Sequence, residues 1–265
     1  MLWDTHMHSH FSGDSESDPE SMVQAAIKNR LDGICFTDHM DLDYPGPTSF
    51  TFEPELYFHD LSVLREKYRT QLSILSGIEL GLQPHLTAQL EALLKQNRFD
   101  FVIGSTHVAH RMDPYYPEFF ENRAQHSAYL EYFEVTLENI LAFSDFDVYG
   151  HLDYVVRYGP TKNTDYTYEM YSEIIDEILL LLIQKGKGIE INMGGYKYGL
   201  GHPHPTEAIL NRYHELGGEI ITLGSDAHAP EHVAFDFHRI KGLLDQAGFS
   251  YYSVFKNREP VFCKL

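Results

Sequence analysis

Short apolar runs recur along this chain, and nearly every one ends in a histidine or a carboxylate. Leu2 to Thr5 reads as a strand and runs straight into His6-Met7-His8. Ile34-Cys35-Phe36-Thr37 ends at Asp38-His39, Leu72 to Ile78 at Glu79, and Phe99 to Ser105 at Thr106-His107. Val148-Tyr149-Gly150 leads into His151-Leu152-Asp153, and Ile189-Glu190-Ile191-Asn192 into a glycine-rich loop through Lys197. Ile220 to Leu223 ends at Ser225-Asp226-Ala227-His228. Runs this short, bounded by polar and turn residues, predict buried strands.

Between them lie stretches with helical period. Pro19 opens a helix at about Glu20, with Met22, Val23, Ala26, Ile27 and Leu31 on one face, and Gly33 stops it. Pro54 starts another, through Leu56, Leu61, Leu64 and Tyr68. Further helices are predicted at about 86–96, 125–143, 168–185, 206–216 and 231–247, with short strands at the end. Residues 108–123 break this rhythm with an aromatic, proline-containing loop. Strand–helix alternation means a parallel sheet with right-handed crossovers. Ligand-type residues at strand ends across the whole chain favour a closed barrel, where all strand C-termini ring one mouth, over an open sheet. The expectation is α/β: a seven-stranded variant of the (β/α) barrel, one domain over 1–265.

Composition narrows the function. Hydrophobic residues at 43% and charged residues at 22% describe a soluble globular protein. The formal charge of −19 disfavours nucleic acid as a partner, because such a surface repels phosphates. Cys35 sits in an apolar run and reads as core; with Cys263 as the only other cysteine, no disulfide framework is expected. The start lacks the basic and apolar regions of a signal peptide, and Leu179 to Ile183 is too short to span a bilayer. No membrane and a cytoplasmic location are therefore expected; the oligomeric state is open.

The chemistry lies in the strand ends. His6 and His8 share one face of a strand, and neutral imidazole is a common ligand for Zn, Fe and Mn. Adding His39, Glu79, His107, His151, Asp226 and His228, with Asp14 from the first loop, gives enough donors for more than one metal. A carboxylate such as Glu79 can bridge two cations, and a pair of cations can hold a hydroxide that attacks a phosphoester. Asp38 and Asp153 flank site histidines and either orient imidazoles or begin loops. Asp4 is expected to bond backbone or a neighbouring side chain.

Asp4-Thr5-His6-Met7-His8, Thr37-Asp38-His39, Gly77-Ile78-Glu79, Gly104-Ser105-Thr106-His107, Gly150-His151-Leu152-Asp153 and Gly224-Ser225-Asp226-Ala227-His228 resemble, in order, the successive motifs of the PHP (polymerase and histidinol phosphatase) superfamily. The long insertion after His107, Glu190-Ile191-Asn192, Gly199-Leu200-Gly201 and Pro203-His204-Pro205 look like its histidinol-phosphate phosphatase branch. That branch hydrolyses L-histidinol phosphate in histidine biosynthesis.

The resemblance implies a distorted (β/α)7 TIM-like barrel holding two or three divalent ions (Zn, Mn or Fe). His6, His8, Glu79 and Asp226 would hold one, Glu79, His107 and His151 a second, and Asp14, His39 and His228 a third. Many relatives have His where this chain offers Asp14. The implied mechanism is metal-activated hydroxide attack on a small phosphomonoester, with Asp226 or His228 as the acid for the leaving alkoxide. Arg157 and Lys197, the latter where relatives tend to carry Arg, are candidate phosphate contacts. Tyr115, Tyr116, Phe119 and Phe120 are candidates to wall an imidazole pocket. Competing functions are a phosphoesterase acting on nucleotides, an amide hydrolase, and a non-catalytic divalent-metal-binding protein.

Overall fold

The computed structural model describes residues 1–264. Eight parallel strands precede a terminal hairpin: β1 (Trp3–Met7), β2 (Gly33–Phe36), β3 (His39–Met40), β4 (Ser73–Gly81), β5 (Phe101–Ser105), β6 (Val148–Tyr149), β7 (Gly188–Asn192) and β8 (Ile221–Gly224). Seven of them run side by side in the order β1-β2-β4-β5-β6-β7-β8, and the two-residue β3 pairs with the far end of β4, His39 opposite Glu79. Every residue of β1, β2, β5, β7 and β8 is buried. Helices cover the outer face, so even the polar residues of β1 (Asp4, Thr5, His6) and β7 (Glu190, Asn192) are buried.

The sheet closes where β1 meets β8, and it closes near the mouth. The His8 amide donates to the Ala227 carbonyl (2.8 Å) and the Asp226 amide to the His6 carbonyl (2.9 Å). Below them the Thr5 hydroxyl donates to Leu223 O at 2.9 Å. Asp4 fastens the same seam: its carboxylate accepts from the Ser225 amide and hydroxyl and from the Ala234 amide. Closure thus brings His6 and His8, from one end of the sequence, against Asp226 and His228 from the other.

The opposite end is sealed by the hairpin of β9 (Tyr252–Lys256) and β10 (Glu259–Cys263). Phe255 stacks on Phe101 with ring centres 5.2 Å apart, within a small buried cluster that includes Cys35, Ile103 and Val148. Arg258 pairs with Asp147, just before β6, and its amide donates to Asp100 O, just before β5. One mouth is left open, at the C-terminal strand ends.

Helices at Pro19–Lys28, Pro54–Tyr68, Thr87–Gln96, Gln125–Ala142, Ser172–Gln184 and Glu207–Glu215 lie where the periodicity predicts them. Asp18 caps the first, its carboxylate accepting from the Ser21 amide. The stretch 231–247 departs from expectation, because only Ile240–Ala247 is α-helical. Ala234 and Asp236 take left-handed φ values of 57° and 54°. Asp4 holds the Ala234 amide and Asn29 donates to Val233 O, so tertiary hydrogen bonds replace the helical ladder. The loop after β7 also differs: Gly194–Lys197 forms a helical turn whose first amide is held by the Asn192 side chain at 2.8 Å. Among the described residues no helix is long and apolar enough to cross a membrane.

Tyr57 ties a helix to the end of β2 and the middle of β4: its hydroxyl lies 2.9 Å from Phe36 O and 2.8 Å from Gly77 O in a fully buried position. Tyr57→Phe is expected to lower the unfolding free energy by about 1 kcal/mol, read from the midpoint of chemical denaturation at unchanged slope.

Candidate metal centre

Glu79, at the end of β4, has no exposed surface and sits at the middle of the open mouth. Its Oε2 lies 3.2 Å from His6 Nε2, 3.5 Å from His8 Nε2 and 3.1 Å from His39 Nδ1. Its Oε1 lies 2.8 Å from His151 Nε2 and 3.2 Å from His107 Nε2, and accepts from the Ser105 hydroxyl at 2.6 Å. One carboxylate therefore faces five imidazoles, three through one oxygen and two through the other.

The ring nitrogens aimed inward are mostly lone pairs, because the outer nitrogens carry the protons. Glu190 Oε2 takes His6 Nδ1–H at 2.9 Å, and Asp41 Oδ2 takes His107 Nδ1–H at 2.7 Å. Ser12 donates to Asp38 (2.8 Å), which leaves its oxygen to accept His8 Nδ1–H at 3.0 Å. These contacts fix tautomer and ring orientation. They leave His6 Nε2 against His8 Nε2 at 3.1 Å, and His107 Nε2 against His151 Nε2 at 3.5 Å. Lone pairs that close to each other and to a carboxylate are stable only around positive charge. The His39 Nδ1 atom makes the same point: it is buried without a hydrogen bond, although Glu79 Oε2 is beside it. Four sets of donor atoms lie close enough for one ion each: His6, His8 and Asp226; His6, Glu79 and His151; His39, Glu79 and His107; and His8, His39 and His228. The donor set, neutral imidazoles with shared carboxylates, fits Zn, Mn or Fe.

The field agrees with this. Burial works against the charged forms of His6 and His107, yet neighbouring carboxylates, Glu190 and Glu79 for His6 and Asp41 and Glu79 for His107, raise both well above the ordinary imidazole value. His39 is raised to about 9, with burial opposing and Glu79 and Asp14 prevailing. Burial likewise opposes ionisation of Glu79, and His6 and His107 lead the imidazoles that hold its carboxyl well below the usual range. The site attracts cations.

All nine predicted ligands meet at this mouth. Asp14, the most exposed, reaches His228 Nε2 at 3.2 Å and His39 Nε2 at 3.8 Å. Its loop is pinned by Ser15 and Ser17, whose hydroxyls both donate to His228 O. Asp226 Oδ1 lies 3.5 Å from His8 Nε2 and 3.9 Å from His6 Nε2. Its backbone takes a left-handed φ of 55°, which the seam bonds to His6 and Ser225 hold in place. Glycines make room for the ligands. A Cβ on Gly224 would stand 2.4 Å from His6 Cβ, and one on Gly81 2.4 Å from the Asp41 carboxyl.

Arg157 is buried, with its Nη2 2.8 Å from Asp226 Oδ2. Its Nε donates at 3.0 Å to His204 Nε2, and His204 Nδ1 donates to Asp153. Burial, reinforced by Arg157, brings His204 down to about 4 against the pull of Asp153, so it is a neutral acceptor for Arg157. Asp153 therefore orients His204 and, through it, Arg157, whereas Asp38 acts on His8 through Ser12. Lys197 does not reach the cavity: its ammonium donates to the Asp226 carbonyl at 2.8 Å and supports the ligand loop from behind.

The cavity above the metal ligands is walled by Tyr44, Phe50, Tyr154, Tyr158 and Tyr198. The four aromatics expected there from the 108–123 loop lie elsewhere. Phe119 and Phe120 are core residues, Tyr115 points outward, and Tyr116 lines a neighbouring depression with Pro45 and Pro47. Those rings pack for stability, and the loop sends Asp113 to the cavity in their place. Glu190 enters the sequence reading only as part of a branch motif, with no site role, and Asp41 not at all. A charge inside the apolar run Ile189-Glu190-Ile191 was a signal of an inward-facing polar role; Asp41 lies in an irregular loop and carried none.

Asp41→Asn keeps the shape beside His107 but removes the charge behind its Nδ1–H. It is expected to weaken metal retention by roughly 10–100-fold, measured by competition with a calibrated chelator.

The sequence profile of the PHP domain family matches residues 4–194. A histidinol-phosphatase of Lactococcus lactis subsp. lactis is 33% identical, over 93% of this chain and 91% of its own length. A probable histidinol-phosphatase of Clostridium acetobutylicum is 31% identical, over 99% of this chain and 96% of its own. The crystal structure of the Lactococcus lactis histidinol phosphate phosphatase, complexed with zinc, L-histidinol and phosphate, superposes with a TM-score of 0.90 at 32% identity, covering 98% of each chain. The chain belongs to the PHP domain family.

Proposed function

We propose that this protein is a metal-dependent histidinol-phosphate phosphatase that hydrolyses L-histidinol phosphate to L-histidinol and phosphate. The observation that carries the reading is a cluster of eight largely buried histidines and carboxylates, close enough together to hold metal ions, beside a cavity that also holds the Arg157 guanidinium. The near-full-length likeness to proteins named histidinol-phosphatase supports the substrate.

Metal ions would be held by His6, His8, Glu79 and Asp226, by Glu79, His107 and His151, and by Asp14, His39 and His228. Bound there, divalent ions supply Lewis-acid activation of water and neutralise charge on the phosphoryl group. The chain does the rest. Arg157 Nε and Nη2 are committed to His204, Asn192 and Asp226, while Nη1 makes no hydrogen bond among the described residues. Nη1 is the donor left for a phosphoryl oxygen, and the Asp153–His204 pair keeps the guanidinium plane fixed before substrate arrives.

The proton traffic falls on His228. Burial alone would raise the Asp226 carboxyl, but Arg157, His8, His6 and Lys197 hold it well below the usual carboxylate range. An anion so held has no proton to give and is a weak base, so Asp226 serves as a candidate ligand and as the anchor of Arg157. His228 is partly exposed at the cavity, with Nε2 toward Asp14 and Nδ1 toward the Asp226 carbonyl. With its Nε2 free of metal it is the better placed donor to the leaving alkoxide.

The test is phosphate release by Zn- or Mn-loaded protein from L-histidinol phosphate, a nucleoside monophosphate and a phosphomonoester of an uncharged alcohol. Histidinol phosphate is expected to give the highest kcat/KM, with His107→Ala reducing kcat at least about 100-fold through loss of a ligand. Preference for the nucleotide would overturn the substrate, and full metal loading without turnover of any ester would overturn the enzyme.

A further inference from the structure

The cavity has a second chemical feature that phosphate hydrolysis does not use. Asp113 lines it with only 5% of its surface exposed, and among the described residues it has no lysine, arginine or histidine as an ion-pair partner. Its bonds are to neutral donors: the Tyr44 hydroxyl to Oδ2 at 2.7 Å, the Tyr115 amide to Oδ1 at 2.7 Å, and the more distant Tyr154 hydroxyl, 3.4 Å from Oδ1. Asp41 lines the same cavity, equally buried. Its Oδ2 serves His107, but its Oδ1 is buried with no hydrogen-bond partner. Two carboxylates thus share a desolvated wall, and of the two only Asp41 has a basic partner, His107. Burial and the nearby Asp41 hold the Asp113 carboxyl above its ordinary value against the neutral donors and His107, as expected of an acid that lacks a counter-charge.

The surroundings select what can supply that charge. Tyr44, Phe50, Tyr154 and Tyr158 present rings to the cavity, and aromatic faces attract organic cations. Tyr154 spans the two ends of the site, because its hydroxyl reaches Asp113 while the Arg157 guanidinium lies 5.2 Å from its ring centre. A ligand that places an anionic group at Arg157 and the metal ligands can therefore place another group at Asp113, about one side chain away. Both Asp113 oxygens already accept a hydrogen bond and the rest of the wall is aromatic, which favours an organic cation over a metal ion needing several oxygen ligands. A cationic N–H donor does.

We propose that Asp113, seconded by the free oxygen of Asp41, is the specificity residue that binds the cationic nitrogen, ammonium or imidazolium, of the phosphomonoester substrate. This rests on the histidinol-phosphate reading and deepens it: Arg157 and the metal ligands take the phosphate, and Asp113 selects an ester whose alcohol carries positive charge. Such a site discriminates strongly, because a neutral ester leaves the buried carboxylate unpaired.

The test compares kcat/KM for L-histidinol phosphate with that for 3-phenylpropyl phosphate, which has no cationic nitrogen, in metal-loaded wild type, Asp113→Asn and Asp113→Ser. Inhibition by L-histidinol is measured alongside. Wild type is expected to prefer histidinol phosphate, and each variant to lose at least about 10-fold of that preference, chiefly through KM, with L-histidinol binding weakened in parallel. Esters lacking only the amine or only the imidazole tell which nitrogen Asp113 reads. Two variants are used so that a folding failure of one leaves the other to decide. A wild-type preference carried unchanged into the folded variant overturns the Asp113 assignment and leaves the phosphatase reading standing. A wild type that does not prefer histidinol phosphate overturns the reading underneath it.

Discussion

A fully buried carboxylate is the constraint from which the rest of the site follows. Glu79 is removed from water at the centre of the barrel mouth, where an uncompensated charge would cost several kcal/mol. Five imidazoles surround it, and three of them turn a proton-bearing nitrogen outward, His6 to Glu190, His107 to Asp41 and His8 to Ser12. That arrangement leaves lone pairs facing a carboxylate, which is a cradle for cations and for little else. Each supporting residue depends in turn on the barrel. Glu190 is placed by β7, and β3 pairs with β4 at Glu79, which sets His39 beside it.

The same constraint explains where the barrel closes. The hydrogen bonds joining β1 to the end of β8 sit at His6, His8, Asp226 and Ala227, so the seam and the metal ligands are one structure. Asp4 stabilises that seam from below. Burial raises its carboxyl to about 6 despite the donors it accepts from, which makes it a costly residue to keep unless the seam needs it. The overall charge of −19 has a local counterpart here: Asp14, Asp41, Glu79, Glu190 and Asp226 converge on a single mouth, a concentration of charge that cations would offset.

Much of this was legible in the sequence, for a physical reason. In a parallel barrel the strands are buried on both faces and stand out as apolar runs, and the residue that ends each run falls at the mouth. The nine candidate ligands could be named from that rule, with Asp14 from the first loop, and from the family's motifs. The rule fails where the chain leaves the strands. Asp41 and Asp113 lie in irregular loops, whose paths depend on tertiary packing that no periodicity reports. Lys197 was placed by motif position, but a helical turn at Gly194–Lys197 carries its ammonium to the Asp226 carbonyl and away from the cavity. The aromatic loop misled for a related reason. Rings in a loop report burial, and Phe119 and Phe120 found theirs in the core beside Tyr129. The 231–247 stretch had helical composition, yet Asp4 captured the Ala234 amide and broke the ladder.

Glu79 offers its two oxygens to separate groups of imidazoles and would join at least two metal positions. Metal content per chain, measured by elemental analysis of dialysed wild type and Glu79→Gln, tests this most directly. Two or three ions are expected in wild type and a loss of at least two in the variant, because an amide cannot offer two anionic oxygens to two cations. A Glu79→Gln protein that keeps the full wild-type complement of metal would contradict it.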